Sequence, residues 1–478
     1  MSPLVQAPIA ILRGLTNPPG GIVQQRGGPN LPITATSIGA TAGIPVTIGP
    51  FNYYVTPWGN DKNDGSRGKP FKTLSRLTTA LSAQSGGTTV NAYVAASDLI
   101  DDTLTPTLGT LGSPTVCNVY FQQGCRLISN NLSAALASAI EGQSNDANYT
   151  FNIYGNGLQI FGYEIASGNG IGSSIGAQVN AYDVNVAHCD DGISGHNSVG
   201  STGISLYRCN VIGGQKSAFS HINATVFVAV DCSFTGLSGA ISGIGQNINT
   251  GSIAATRCQF IPPLGTGVAA GTGTAFGPNN GTLTQCQIGT FTTFVAPTWG
   301  SVSVITVTDS FLNVSWDAQY ANTFTRCFGK HSGRIRGSTG GSPVTYNNCV
   351  FVLGASGGAT NGFIYGNNDS GATWQGIGYS CTNCIFTGYA TVFGAGFSNN
   401  QATSFNGNSF ANFTDLNGNT NNFNTTTTPP VAGSSTTGNI TTSPGIGSHN
   451  TVFQGDYVLL NGSACIGAGS AGSNIGFT

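Results

Sequence analysis

The sequence predicts an all-β solenoid, a chain wound into stacked parallel coils, on three observations: its composition, a recurring cysteine step, and period-two alternation around that step. Of 478 residues, 71 are glycine and only 7 % are charged, against roughly 25 % charge in an average soluble chain. Low charge with much glycine also marks disorder, but disordered chains lack aromatic and β-branched residues. This chain has 26 Phe and 15 Tyr, with regularly placed Val and Ile. Many short strands joined by Gly/Asn turns account for both facts.

The cysteine step recurs in LYRCNVIGG, VAVDCSFTG, AATRCQFIP, LTQCQIGTF, YNNCVFVLG and CTNCIFTGY, around Cys209, Cys232, Cys258, Cys286, Cys349 and Cys384. A polar residue precedes each cysteine and an apolar one stands two after it. Cys189 and Cys327 are looser members. The separations of 20, 23, 26 and 28 from Cys189 to Cys286 have the size of one solenoid coil, and those of 41 and 35 further on point to skipped coils or inserted loops.

In TVFVAVDCSF, period two places Val226, Val228, Val230, Cys232 and Phe234 on one face, expected to be the inner one. Parallel coils stack about 4.8 Å apart, so equivalent residues form ladders. Cys209, Cys232, Cys258 and Cys286 make one inner ladder, and Val211, Phe234, Phe260 and Ile288 another. Outside, Arg208, Asp231 and Arg257 follow one another as an ion-pair stack of small individual worth. The cysteines are read as free buried thiols, which suits folding in a reducing cytoplasm. Cys381 and Cys384 form a lone CxxC without a second ligand pair, so no metal site is assigned there and no cofactor is expected.

Residues 1–50 are rich in Pro and Gly, without an acidic residue, a cysteine or a coil pattern. They are read as an N-terminal arm that is flexible or orders against a partner. Beyond Phe51, Pro70 opens a predicted helix over about 70–83, with Leu74, Leu77 and Leu81 on one face; such a helix would cover the open end of a solenoid core. No apolar run reaches membrane-spanning length. A net charge of −2 without basic clusters argues against nucleic acid. The stretch MSPLVQAPIAILRGL lacks the basic region and cleavage site of a signal peptide.

The stretch YYVTPWGNDKNDG followed by PFKTL resembles the opening of pectin-lyase-like β-helix proteins, and GDYVLLNGSACIGAGSAGSNIG (455–476) resembles their closing coil. The resemblance implies a right-handed parallel β-helix over 51–478, with the helix as its N-terminal cap and a closing coil at about 455–478, preceded by an irregular N-terminal arm. It says little of chemistry, because fold and function are separable. Proteins of this fold that cleave polysaccharides need paired carboxylates for hydrolysis, or a base beside charge-neutralising groups for β-elimination.

The densest polar cluster is YDVNVAHCDDGISGHN, which includes Asp183. Asp190, Asp191 and His196 are its candidate catalytic set, one aspartate as acid and its neighbour as base. Both aspartates serve only in a turn, since neighbours on a strand face opposite ways; DDGIS is equally a non-catalytic turn in proteins of this fold. Glu164, His188, Arg208, Lys216 and His221 lie within a coil or two and are candidate glycan contacts. Trp316 and Trp374 join them, with Trp299 and Tyr320 in similar irregular stretches, although such aromatics can equally close the core. His331, Arg334 and Arg336 form a second polar patch, read as a solvated loop.

Two functions are expected. The arm, the free thiols and the missing leader resemble the layout of a bacteriophage tailspike or capsid spike. That reading makes the chain a homotrimeric structural appendage, joined to other virion proteins through residues 1–50 and binding cell-surface polysaccharide, located in the virion after assembly in the host cytoplasm. The alternative is a polysaccharide lyase or glycoside hydrolase working in a lateral groove, for which an extracellular location is equally open. A surface adhesin is the weaker third reading, for want of an export signal.

Overall fold

The computed structural model describes residues 52–83, 89–108, 116–130, 138–144, 149–163, 168–174, 176–196, 203–212, 217–221, 226–237, 245–246, 252–264, 274–276, 280–291, 293–295, 304–316, 323–333, 344–352, 362–364, 379–387, 391–393, 403–406, 409–411, 435–437, 461 and 466. The expected arm lies outside these residues, as does the closing coil apart from Asn461 and Ile466.

Each coil lays its strands onto those of the coil before. A first ladder runs from Asn52–Val55 through Thr89–Val94, Val116–Phe121 and the first half of Tyr149–Phe161 to Ser435–Thr437. A second takes the strand that follows in each coil, from Asp98–Ile100 and Arg126–Ile128 to Ser409–Ala411. A third and shorter ladder joins Thr107–Leu108, Ser138–Ser144, Asn169–Ser174, Asp191–His196, Ser217–His221 and Gly245–Gln246. The pairings within all three are parallel, as they must be when the chain returns to each ladder by a full coil. The chain is an all-β parallel solenoid. Its core is built of columns: Val90, Cys117, Phe151, Val179, Ile204 and Phe227 succeed one another inside the first ladder, each at most 3 % exposed. Burying one such side chain contributes about 1.5–3 kcal/mol.

Helix α1 spans Leu74–Ser82, starting later than Pro70. Phe71 is still extended, bridging Val55, and Thr73 is the N-cap, its hydroxyl accepting the Arg76 N–H at 3.1 Å. The Pro70 carbonyl is occupied instead by the N–H of Asn60 and the amide of Asn63. Leu74, Leu77 and Leu81 are buried, as their spacing requires. The carboxylate of Asp102 ties the helix start to the solenoid, accepting the N–H of Leu74 at 2.6 Å and of Ser75 at 2.9 Å; it satisfies donors that a helix end leaves orphaned.

The corner between the first and second ladders explains the cysteine step. The polar residue before each cysteine takes the left-handed backbone conformation. Asn156, Asp183, Arg208, Asp231, Arg257, Gln285, Asp309, Arg326, Asn348 and Asn383 all have φ between 49° and 56°. Such a residue interrupts the pleat, so alternation resumes one residue out of phase. The inner residues of TVFVAVDCSF are therefore Phe227 and Ala229, then Cys232 and Phe234, with Val228 and Val230 facing outward. This corrects the single inner face that uninterrupted alternation predicts.

Cysteine does more at this corner than fill space. The Cys232 thiol donates to the Val230 carbonyl at 3.3 Å, and its sulfur accepts the N–H of Cys209, one coil earlier, at 3.4 Å. Cys384 repeats both bonds, to Thr382 and from Cys349. From Cys209 onward the corner is thus held by a small side chain able to donate and accept, although Val184 fills the same place one coil earlier without doing either. Ser310 serves in the same way, its hydroxyl donating to Thr308 at 2.8 Å and accepting from Cys286 at 3.0 Å. The separation of 41 between Cys286 and Cys327 is accordingly two coils with serine in the cysteine column, and no coil is skipped. The separation of 35 between Cys349 and Cys384 is one long coil. Cys327 is a full member of the column, whereas Cys189 is not. Cys189 sits at the next corner, between the second and third ladders, and Val184 occupies the column in its coil. The ten cysteines whose side chains are described are all free and buried.

Two outcomes follow for stability. Replacing Cys232 by Ser should change the denaturation midpoint little, whereas Cys232→Ala, which strands the buried Cys209 N–H, should cost roughly 1–2 kcal/mol; equal losses for both would deny the corner bond. Burial also pushes the Cys117 thiol up to about 12 and Cys125 up to about 11, from an ordinary value near 9. The folded chain therefore holds these protons more tightly than the unfolded chain. The corresponding stability is complete below the ordinary thiol value and is lost as pH rises through the folded values. Urea midpoints measured across that window should fall steadily above about pH 9; a flat profile would show the thiols to be open.

Candidate functional site

The third ladder carries the predicted aspartates. Asp191 begins the strand Asp191–His196 and is in register with Asn169 and Ser217. Asp190 precedes it, its N–H shared between the carbonyls of Tyr163 and Gly168, both at 2.9 Å. Neither carboxylate is open: Asp190 is 4 % and Asp191 7 % exposed. His196 stands at the far end of the same strand, about 16 Å along at 3.3 Å per residue, so the strand holds it apart from the aspartates. His221 is in register with Gly195. Nearby on this ladder lie two buried polar residues that sequence reasoning passed over. Glu141 is 8 % exposed, and Asn169 donates to the Ser138 hydroxyl at 3.3 Å while its own side-chain oxygen has no partner.

The remaining candidates are dispersed. His188 has a left-handed φ of 52° at the second corner, with its ring 4.9 Å from that of Phe161. Arg208 occupies the first corner and grips the Asp183 carboxylate with both ends of its guanidinium, at 2.7 and 2.8 Å. Arg257 holds Asp231 and Arg326 holds Asp309 in the same way. The expected external stack is thus resolved into discrete pairs, each arginine reaching back to the aspartate of the coil before. Glu164, Lys216, Trp299, Tyr320, Arg334, Arg336 and Trp374 lie outside the described residues, and for His196, His221, Trp316 and His331 only the backbone is described. Among the described residues no group of three His, Cys, Asp or Glu is placed to hold a metal ion, and no helix is long and apolar enough to cross a membrane.

The most regular surface is one that the cysteine pattern did not disclose. On the outer side of the first ladder, Tyr54, Tyr93, Tyr120, Tyr154, Tyr182 and Tyr207 form a continuous stack, with ring centroids 4.7–5.3 Å apart. Two residues earlier in each strand runs an amide ladder, in which Asn91 donates to Asn52, Asn118 to Asn91, Asn152 to Asn118 and Asn180 to Asn152, at 2.8–3.3 Å. The signal was present as a repeated Asn-x-Tyr, closing with Ser205-x-Tyr207. Val228 and Val230, then Ala254 and Thr256, interrupt the two columns, which resume as hydroxyls with Thr282 and Thr284, Thr306 and Thr308, and Thr323 and Thr325 in register. No charged residue enters either column from Asn52 to Asn406.

The corner pairs invite a test that separates charge from backbone. Asp231→Asn removes an exposed ion pair and should cost under about 1 kcal/mol, and Asp231→Gly should be close to neutral because glycine accepts positive φ. Asp231→Val forces a β-branched residue into that conformation and should cost roughly 2 kcal/mol or more in thermal unfolding. Equal losses for Asn and Val would mean that the ion pair outweighs the backbone at this corner.

No family model and no curated protein matches the chain. Among solved structures it is similar to the pectate lyase Pel9A, at 12 % identity and a TM-score of 0.34 over 89 % of this chain and 93 % of that one. It is also similar to the GH136 lacto-N-biosidase from Eubacterium ramulus, at 10 % identity and a TM-score of 0.29 over 76 % and 64 %. A rhamnogalacturonan lyase follows at 10 % identity and a TM-score of 0.22 over 81 % and 87 %. The chain's own three parallel ladders, joined at tight corners, give it a parallel β-helix fold.

Proposed function

We propose that this chain is a glycan-binding appendage that engages a cell-surface polysaccharide along the side of its β-helix. The observation that carries this reading is the uncharged outer face of the first ladder, which offers amides and phenols over its first coils and, beyond an apolar step at Val228, Val230 and Ala254, threonine hydroxyls. Sugar hydroxyls are matched by neutral donors and acceptors of this kind. The alternative, cleavage by a lyase or hydrolase, has less support in the geometry, because Asp190 and Asp191 are both sealed from solvent and the histidine proposed to serve them is remote. In the spike-like reading the chain is a homotrimer held through residues 1–50 on other virion proteins.

Incubating the full chain with capsule polysaccharide or lipopolysaccharide of a candidate host should give a complex without new reducing ends or unsaturated, ultraviolet-absorbing products. Product formation that Asp190→Asn abolishes would establish the enzymatic reading instead. Sedimentation of the same sample should return the mass of a trimer; a monomer would remove the spike layout.

A further inference from the structure

We propose that the strip made by Tyr120, Tyr154, Tyr182 and Tyr207 with Asn152 and Asn180 is the binding site for a neutral, extended polysaccharide running along the solenoid axis, one sugar residue to each coil. This rests on the glycan-binding reading above and names its site and ligand class.

The geometry of the strip selects the ligand. The four rings stack on one another nearly in parallel, with interplanar angles of 6–10° and centroids 4.7–5.0 Å apart. Their faces are therefore occupied, and what the half-buried rings present outward is a row of edges and hydroxyls. None of these four phenolic oxygens has a hydrogen-bond partner among the described residues, whereas the buried Tyr163 hydroxyl donates to the Asp102 carbonyl at 2.6 Å. The row begins at Tyr120 because Tyr54 and Tyr93 are sealed, at 4 % and 6 % exposed. Asn152 donates to Asn118 and accepts from Asn180, both at 2.8 Å, while Asn180 donates to Asn152 and accepts from Gln178 at 3.0 Å, so each keeps a second donor and acceptor site. A ligand that repeats its hydroxyls at the rise of one coil satisfies both rows together, and an extended chain of linked pyranoses has about that repeat.

Charge narrows the class further. The strip holds no cation to meet a uronate or phosphate, and the adjoining Arg208 is already committed to Asp183 through two hydrogen bonds. Burial pushes the Tyr182 hydroxyl up to about 12 and raises Tyr120 and Tyr154 as well, so these three stay neutral and keep their donors across the ordinary pH range. An acidic glycan would have to surrender its hydration here without a counter-charge.

The test uses the full chain in affinity electrophoresis against soluble mixed-linkage β-glucan, galactomannan and polygalacturonate. A Tyr154→Phe/Tyr182→Phe variant keeps the ring stack while deleting two hydroxyls. The expected result is retardation by at least one neutral polymer and not by polygalacturonate, with affinity reduced roughly five- to a hundredfold in the double variant at an unchanged melting temperature. Equal affinity of wild type and variant would overturn the strip as the site and leave glycan binding standing. Preference for polygalacturonate would overturn the ligand class. If the variant alters sedimentation mass but not glycan affinity, the strip is a contact between copies and the proposal fails; if wild type binds no glycan at all, the broader reading fails with it.

Discussion

The structure depends on a single backbone requirement, the left-handed residue at the corner where each coil turns from its first strand to its second. A left-handed conformation costs an ordinary residue roughly 1–2 kcal/mol, and here it recurs with φ between 49° and 56° from Asn156 through Asn383. That cost is offset locally. The corner N–H groups reach the next coil's carbonyls, as Arg208 does to Val230 at 2.9 Å and Asp231 to Thr256 at 3.0 Å. The following cysteine or serine then supplies the donor and acceptor that the interrupted ladder lacks. Inner packing, outward charge pairing and strand register all inherit their phase from that residue.

Much of this was legible in the sequence, for physical reasons. The inner column Val211, Phe234, Phe260 and Ile288 was readable because an apolar residue two after each cysteine can point only one way once the corner is set. The inner face before the corner was misread at Val228 and Val230, because alternation carries no mark of a residue that breaks it, and aspartate is only weakly diagnostic of positive φ. Ser310 was missed because composition groups serine with the turn formers, although its hydroxyl reproduces the thiol's bonds. Cys189 misled for the converse reason, since the same residue type recurs at a different corner. The helix was readable from Leu74, Leu77 and Leu81, but its start at Thr73 was set by Asp102, a contact that no local pattern announces.

The candidate site was less legible than the fold. Searching for titratable clusters led to Asp190, Asp191 and His196, which the strand separates lengthwise and burial closes. In a chain with so few charges, the face proposed for binding is built of neutral groups instead, and these read first as turn formers and core. Asn-x-Tyr is visible in the sequence only when read once per coil. Its two columns are outward because Val90, Ala92 and Val94 between them point in. The same alternation that fills the core therefore manufactures an ordered exterior, and stacked rings and amides stabilise the sheet while they present it.

The steps between successive corner residues run from 17 (Asp309 to Arg326) to 35 (Asn348 to Asn383), yet the ladders stay in register across both. Registration is thus indifferent to how much chain is spent between corners, because a long excursion adds little closure entropy and leaves the next corner's bonds unchanged. In evolutionary terms the molecule behaves as a ruler with detachable ornaments. Insertions and deletions can accumulate between the second-ladder strand of one coil and the first-ladder strand of the next, as between Val352 and Tyr379, while a change of one residue at a corner shifts the phase of the strand that follows it.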